Sequence, residues 1–250
     1  MKIFCCYTPS HNTLYHDDFV PTIPAGFMLQ SEVIEMFGEG HYDSPQFVPC
    51  VGKKVDLILQ SLREHAGSVI IWSDVDIQFY RLTPDLATAE LGDRDIAFQA
   101  AGVPAYDINS GFFICRCNQP VVQFFEKVRH SLCHENAGEI EERVINKLLP
   151  TLSDSELSWC MLPRRFYARS NKWPPPRDLV LHHANSTAGA NGLAKKHRQL
   201  REVALLQRYG LPVLLYTCVK YAPRRVRRLW DEWLGRRPVS AAKPARAAFG

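Results

Sequence analysis

A strand-like apolar run that ends in two closely spaced aspartates constrains the fold of this chain more than any other feature. Residues 69–72 read VIIW without polar alternation, which is typical of a strand covered on both faces in a parallel sheet. Asp74 and Asp76 follow directly. In extended chain, residues i and i+2 point the same way, so we expect both carboxylates to face one spot. Open α/β sheets bind their ligands where such strands end.

The two aspartates predict a metal site. Neighbouring carboxylates repel each other unless a positive charge lies between them, and hard divalent cations prefer oxygen ligands. A solvated acidic loop is the alternative interpretation of Asp74 and Asp76, although their position after a hydrophobic strand favours the metal. For the second D-x-D, Asp93 and Asp95, we prefer the plainer interpretation, in which Asp95 opens a strand at 96–98.

Strands alternate with helices along the rest of the chain, which predicts an α/β fold with a mixed, mostly parallel central sheet flanked by helices. The 250 residues suffice for one such domain with a small appendage. The predicted strands are 2–8, 27–34, 69–72, 95–100, 109–115, 159–161 and 179–183, and the predicted helices are 52–64, 119–133, 138–149, 192–209 and 223–234. We expect a domain at 1–210, a basic amphipathic helical extension at 211–237 and a disordered tail at 238–250.

A strand ending in two histidines supplies a candidate third ligand. Neighbouring residues in a strand point to opposite faces, so at most one of His182 and His183 reaches the same metal as Asp76. An imidazole beside carboxylates suits Mn²⁺ or Mg²⁺ in the presence of phosphate oxygens. The alternative is that both are ordinary strand-end histidines bonded to backbone.

The positive charge of the chain is concentrated near its C-terminus. Residues from 195 onward hold 14 Lys and Arg against 3 Asp and Glu, whereas residues 1–194 hold 16 against 23, so the C-terminal segment is expected to meet something anionic. Residues 223–237 place apolar side chains, including Trp230 and Trp233, near one face with flanking arginines. This pattern predicts an interfacial membrane helix, and it equally fits a helix packed on the protein's own body. Nucleic-acid binding is not expected, because interleaved stacking aromatics are missing from the pattern.

The N-terminus and the apolar runs bear on localisation. The segment MKIFCCYTPSH has too short an apolar core for a signal peptide and is expected to be a first strand. No run approaches the roughly 20 apolar residues of a membrane span, and the 8 cysteines lack small-domain disulfide spacing. We expect a cytoplasmic protein, placed at the inner face of the membrane if the helix at 223–237 is interfacial.

Six segments carry a family resemblance. In chain order they read HYDSPQFVPCVGKKVDLILQSL, VIIWSDVDIQFY, DIAFQ, NSGFFICR, ERVINKLL and HHANS. In this order they resemble the nucleotide-diphospho-sugar transferase family, glycosyltransferases of the A-type fold with a D-x-D motif. The resemblance covers about residues 1–210, which would then be the catalytic domain.

The resemblance implies a metal-dependent glycosyltransferase. It would move a sugar from a nucleotide-sugar donor, with retention, to an unknown glycan, lipid-linked or protein acceptor. The implied metal ligands are Asp74, Asp76 and His183, around Mn²⁺ or Mg²⁺. The implied cofactor- and donor-binding residues are Thr8, Asp74, Asn109, Ser110, Gly111 and Lys196, with Thr8 near the nucleotide base and Lys196 near the diphosphate.

The implied catalytic residues are Asp74, Asp76 and Glu142. The family often has Asp-Gln where this chain has Glu141 and Glu142, and Asp107 is a further candidate on the acceptor side. For Asp107, Glu141 and Glu142, the residues taken alone favour the plainer interpretation of ordinary surface charge.

Simple charge chemistry is consistent with this implied activity. Breaking the bond between an anomeric carbon and a nucleoside diphosphate develops negative charge on the leaving phosphate, which a divalent cation and a lysine such as Lys196 would stabilise. Two other functions stay open. One is a catalytically silent nucleotide- or sugar-binding module of the same fold, and the other is a metal-dependent phosphoryl or nucleotidyl transferase.

Overall fold

The computed structural model describes residues 1–35, 47–101, 108–136, 138–168, 174–184, 191–217 and 219. The chain consists of two compact units, residues 1–203 and residues 204–250.

The regular elements follow in chain order. The strands are β1 (Lys2–Tyr7), β2 (Met28–Val33), β3 (Val69–Ser73), β4 (Ile77–Phe79), β5 (Ile96–Ala100), β6 (Ile108–Arg116), β7 (Trp159–Met161), β8 (Phe166–Ala168) and β9 (Leu181–His183). The α-helices are α1 (Phe47–Glu64), α2 (Pro84–Leu91), α3 (Gln119–His134), α4 (Glu141–Leu148) and α5 (Gly192–Tyr209). Short 3₁₀ segments lie at Pro9–His11, Val20–Thr22 and Leu149–Thr151, and a π-helical segment at Leu14–Phe19.

Six strands form a central sheet in the order β2, β1, β3, β6, β5, β7. β6 is antiparallel to both of its neighbours, and the other neighbouring pairs are parallel. Five strands therefore share one direction. This arrangement confirms the predicted mixed, mostly parallel sheet.

The apolar strand β3 lies inside this sheet, between β1 and β6, and is covered on both faces as predicted. Ile70 and Trp72 pack in a cluster with α1 and α3, while Ile71 packs in a second cluster on the opposite face. All three side chains are buried. The alternation of faces along a strand explains why consecutive apolar residues are needed here.

A small second sheet brings two distant parts of the chain together. Its order is β4, β9, β8, with β4 antiparallel and β8 parallel to β9. In this register Ile77 lies opposite His183. The end of the SDVD sequence and the end of the histidine strand are therefore neighbours.

In the C-terminal unit, residues 204–209 and 211–217 are helical. Gly210 separates them with a φ of 64°, a conformation that favours glycine at the end of a helix. None of the described helices combines the length and apolar character needed to cross a membrane. The helix predicted at 223–234 and the tail predicted from 238 lie outside the described residues.

Candidate functional site

The SDVD sequence forms the turn between β3 and β4. The Asp74 N–H donates to the Gly111 carbonyl at 2.7 Å, and the Asp76 carbonyl accepts from the Ala184 N–H at 3.0 Å. The expectation of an extended segment at 74–76 is therefore wrong. The two carboxylates lie near one another because this turn is tied on one side to β6 and on the other to the end of β9.

Asp74, Asp76 and His183 gather at this turn. One ligand atom from each lies within 4.8 Å of the others. In the part of the chain that the structure describes, no other three His, Cys, Asp or Glu side chains gather this closely. Two carboxylates and one imidazole form a donor set that suits a divalent metal.

The ring orientation of His183 is set by a buried glutamine. Gln99 Nε2 donates to the Phe166 carbonyl at 3.1 Å, so Gln99 Oε1 faces His183 Nδ1, 2.7 Å away. Because this oxygen can only accept, Nδ1 carries the proton and Nε2 points to Asp76. Nε2 lies 3.2 Å from Asp76 Oδ1. A partner that fixes the ring in this way is typical of metal-binding histidines.

His182 faces away from the aspartates. Its ring stacks on Tyr167 at 5.6 Å between centroids, and strand alternation puts it on the face opposite His183. His183 is thus the member of the pair that approaches Asp76.

Lys54 on α1 links two acidic groups beneath the turn. Its Nζ lies 2.7 Å from Asp74 Oδ1 and 2.9 Å from Glu141 Oε1. Ser110 Oγ donates to the same Glu141 oxygen at 3.0 Å. The lysine side chain is 11% exposed. Surface charge is therefore the wrong account of Glu141, because this carboxylate belongs to a buried ion-pair network.

The two aspartates differ electrostatically. Burial raises the pKa of Asp74 above its usual value, although Lys54 opposes this shift. Burial would also raise the pKa of Asp76, but Lys196 and His183 outweigh burial and hold it well below its usual value. Asp76 is therefore ionised and available as a metal ligand.

Lys196, on the first turns of α5, pairs with the second oxygen of Asp76. Its Nζ lies 2.7 Å from Asp76 Oδ2, and its side chain is 16% exposed. Lys196, Asp74 and Asp76 line one cavity of about 170 Å³. The cavity thus contains cationic and anionic groups in direct contact.

Thr8 and His11 line the same cavity. Thr8 follows the end of β1, and its hydroxyl lies 3.0 Å from His11 Nδ1. The pKa of His11 is lowered by burial and by the nearby Lys196. The structure therefore brings Thr8, predicted to lie near the nucleotide base, to the cavity of Asp74, Asp76 and Lys196.

Each residue of the NSG sequence at the start of β6 has a different role beside the turn. Asn109 Oδ1 accepts from the Gly111 N–H at 2.8 Å. Ser110 is buried and donates to Glu141. A Cβ on Gly111 would lie 2.3 Å from His183 Cε1 and 2.8 Å from Asp74 Oδ2. Gly111 is therefore the residue that allows Asp74 and His183 to approach β6.

Glu142 lies at the start of α4 near this region. Burial and the neighbouring Glu141 carboxylate raise the pKa of Glu142, while His183 and a backbone hydrogen bond at Ser110 oppose the rise. Asp107, the further acceptor-side candidate from the sequence, lies outside the described residues.

Sequence reasoning missed Lys54 and Gln99. Lys54 had a readable signal, because Val51, Val55 and Ile58 form the buried stripe of α1 and position 54 falls on that same face at helical spacing. A lysine there requires a buried anion. Gln99 gave no comparable signal, since only the three-dimensional approach of β5 to β9 reveals its role.

The second D-x-D is structural, as predicted. Asp95 Oδ1 accepts from Asn118 Nδ2 at 2.6 Å, and Oδ2 accepts from the Ser158 N–H at 2.8 Å. Asp93 is fully exposed in its side chain. Asp95 thus opens β5 and secures its neighbours.

Comparisons with solved structures identify the fold class. A glycosyltransferase involved in the glycosylation of the major capsid of PBCV-1 superposes with a TM-score of 0.53 at 12% identity, over 80% of this chain and 100% of that one. An active-site mutant of LgtC superposes with a TM-score of 0.50 at 11% identity, over 82% of this chain and 95% of that one. No protein-family model and no curated protein sequence matches the chain.

These likenesses confirm the predicted glycosyltransferase A-type fold. At such low identity they establish the fold alone, and a fold hosts more than one function. The function must therefore be argued from the site.

Proposed function

We propose that this protein is a metal-dependent glycosyltransferase that transfers a sugar, with retention, from a nucleotide-diphosphate donor to an acceptor hydroxyl. One observation carries the proposal. Asp74 and Asp76 lie at one end of the central sheet, and one ligand atom from each lies within 4.8 Å of a ring nitrogen of His183. His183 is more than a hundred residues away in sequence. This donor set suits Mn²⁺ or Mg²⁺ with phosphate oxygens completing the coordination.

The protein's own residues divide the work of binding the donor. Asp74, Asp76 and His183 would hold the ion, which when bound supplies a Lewis acid to the leaving diphosphate. Lys196 adds a positive charge in the same cavity, where low exposure strengthens its attraction for a phosphate. Thr8 lines the same cavity, and we assign it to the nucleotide. Because a nucleoside diphosphate is already a good leaving group, positioning and exclusion of water are the main tasks left.

Glu142 is our candidate for the acceptor side. Its pKa is raised by burial and by Glu141, so it keeps its proton to a higher pH than an exposed glutamate does. In a retaining, front-face transfer the departing phosphate oxygen takes the proton of the acceptor hydroxyl. Glu142 is then assigned to orienting that hydroxyl, and Glu142→Gln should lower transfer more than donor hydrolysis.

We also propose contact with an anionic membrane surface through the C-terminal unit. Leu211, Leu215, Tyr216 and Val219 are each more than half exposed, and the sequence that follows them is rich in arginine. Exposed apolar side chains beside cationic ones favour an interfacial location, which would bring the enzyme to a lipid-linked or membrane-bound acceptor. Co-sedimentation with anionic liposomes before and after deletion of residues 211–250, which removes both the exposed apolar side chains and the arginines, tests this, and equal binding by both forms would refute it.

Metal-dependent hydrolysis of a panel of nucleotide sugars tests the central proposal. Asp76→Asn should lower the rate by roughly 10²-fold or more, because it removes a ligand that acts on the leaving group. Asp93→Asn is the matched control, since its D-x-D carboxylate is fully exposed.

Other outcomes identify the alternatives. Tight, Mn²⁺-dependent binding of a nucleoside diphosphate without any turnover would indicate a silent binding module. Release of nucleoside monophosphate or transfer of phosphate would indicate a phosphoryl or nucleotidyl transferase.

A further inference from the structure

Both carboxylate oxygens of Asp76 are engaged by cationic or polar nitrogen groups. Oδ1 lies 3.2 Å from His183 Nε2, and Oδ2 lies 2.7 Å from Lys196 Nζ. The side chains of Asp76, His183 and Lys196 are 7%, 6% and 16% exposed. Water therefore screens these contacts weakly, and their charges act on one another strongly.

The two contacts differ in their compatibility with a metal ion. Two ligand atoms of one octahedral ion lie about 3 Å apart, given ligand distances of about 2.1 Å, so Asp76 and His183 can remain adjacent. An ammonium 2.7 Å from Oδ2 opposes metal binding, because it repels a divalent cation bound to the same carboxylate. Movement of Lys196 away from Asp76 therefore favours metal binding there.

Building on the proposed function, we propose that Lys196 is a displaceable internal cation that competes with the metal for Asp76. Its charge neutralises Asp76 before the ion binds. When the ion takes its place, the ammonium moves within the same cavity to the donor's diphosphate. No covalent bond is made or broken in this exchange, in which coordination of the ion by Asp76 replaces the Lys196–Asp76 ion pair.

The comparison with Lys54 supports this assignment. Lys54 contacts two carboxylates at once, Asp74 and Glu141, from the middle of α1, so its position is fixed from two sides. Among the described residues, Lys196 forms its ion pair with the single carboxylate of Asp76. Its four-carbon stem and rotatable ammonium allow it to change partner at small cost.

Such an exchange couples metal and donor binding. Without a diphosphate, the metal must displace Lys196 and leave the ammonium unpaired in a poorly hydrated cavity, which weakens metal affinity. With a diphosphate present, Lys196 gains a new anionic partner. Each ligand thus favours the other, as thermodynamic linkage requires.

The proposal is tested by titrating Mn²⁺ into the whole chain without any nucleotide. Electron paramagnetic resonance measures the free Mn²⁺ and so gives the affinity. Lys196→Gln should bind Mn²⁺ more tightly than wild type, on the order of tenfold, because the competing charge is gone while an amide can still donate to Asp76. Lys196→Arg keeps the charge and should show no gain. Lys195→Gln is the matched control, since Lys195 is the exposed neighbour. Circular dichroism verifies folding of each variant.

The direction in which Lys196→Gln changes the Mn²⁺ affinity decides between the proposal and its alternatives. A lysine that only binds phosphate, or only supports the fold, would leave the Mn²⁺ affinity of Lys196→Gln unchanged or weakened, and either result overturns the proposal while the metal site stands. Binding by Lys196→Gln when wild type shows none supports it. Absence of Mn²⁺ binding from wild type and Lys196→Gln alike overturns this proposal, whereas the metal-dependence of the proposed function stands or falls with the nucleotide-sugar hydrolysis assay. Asp76→Asn identifies the site by losing the binding.

Discussion

Replacing Gly111 with alanine should damage the proposed metal site while the fold remains. Gly111 does not have a left-handed backbone conformation, so alanine is acceptable to the main chain. The added Cβ, however, would lie 2.3 Å from His183 Cε1, 2.8 Å from Asp74 Oδ2 and 3.0 Å from Asn109 Oδ1. Ordinary contact begins at 3.4 Å, so the histidine ring must shift by about 1 Å.

The expected magnitude follows from which groups must move. Overpacking a buried site typically costs about 1–3 kcal/mol of unfolding free energy, which the surrounding sheet can survive. Two proposed metal ligands, Asp74 and His183, are displaced together, and disturbing the support of a ligand typically costs about 10–100-fold in metal affinity. We therefore expect Gly111→Ala to bind Mn²⁺ about 100-fold more weakly than wild type.

The assay pairs Mn²⁺ titration with urea denaturation of the same preparations. Gly52→Ala is the matched control, because a Cβ at Gly52 on α1 would find Arg129 Nη1 at 3.9 Å, an ordinary contact. It should leave metal affinity unchanged and raise stability by about 0.5–1 kcal/mol, as expected for glycine replaced within a helix. Wild-type Mn²⁺ affinity in Gly111→Ala would refute the claim that Asp74 and His183 meet above this residue.

Three further changes test the network around the turn. Gln99→Leu should weaken Mn²⁺ affinity about 10–100-fold in titration, because His183 loses the acceptor that orients its ring. Lys54→Met should lower the urea-derived unfolding free energy by about 3 kcal/mol, since it leaves the Asp74 and Glu141 carboxylates without their shared cation. Burial would raise the pKa of Glu141, but Lys54 lowers it below the ordinary 4.5. The stabilisation by ionised Glu141 is therefore complete above that pH and lost as pH falls through the folded-state pKa, so the stability advantage of wild type over Glu141→Gln should shrink below pH 4.5 in acid urea titrations.

Each of these results has a contrary outcome. Gln99→Leu with normal metal affinity would mean that β9 alone orients the imidazole. Lys53→Met, at the exposed neighbour of Lys54, should leave stability nearly unchanged, and an equal loss in both variants would show that the buried ion pairs do not matter. A wild-type advantage over Glu141→Gln that grows below pH 4.5 would reverse the sign expected for a carboxylate with a lowered pKa.

The strands and helices of the sheet were largely predictable because their signals are local. The apolar run of β3 and the helical stripe of α1 indicate burial without knowledge of partners, and both are confirmed. Elements without a long pattern were missed. β4 and β8 have three residues each, and a strand of this length is stabilised by its neighbours rather than by its own sequence. The π-helical segment at 14–19 likewise lies where no helix or strand was predicted.

Only those site residues were predictable whose chemical type and position at a strand end indicate metal coordination. Asp74, Asp76 and His183 were found because carboxylates and an imidazole at strand ends suggest coordination. The geometric reason given for the aspartates was wrong, since a turn rather than an extended strand brings them together. The role of Glu141 was also missed, because its partner Lys54 lies 87 positions earlier in the chain, and an ion pair of this separation leaves no local pattern.

The two aspartates of the SDVD sequence look equivalent in the sequence, but in the structure each is paired with a different lysine. Asp74 is paired with the buried Lys54, and its N–H donates to the Gly111 carbonyl, so both its side chain and its backbone are held in place. Asp76 is paired with a lysine that has a cavity to move into. A site that binds and releases a metal ion, as proposed here, needs one carboxylate held in position and one whose countercharge can be exchanged for the ion. The division of roles between Lys54 and Lys196 provides a fixed carboxylate and an exchangeable one within a single turn.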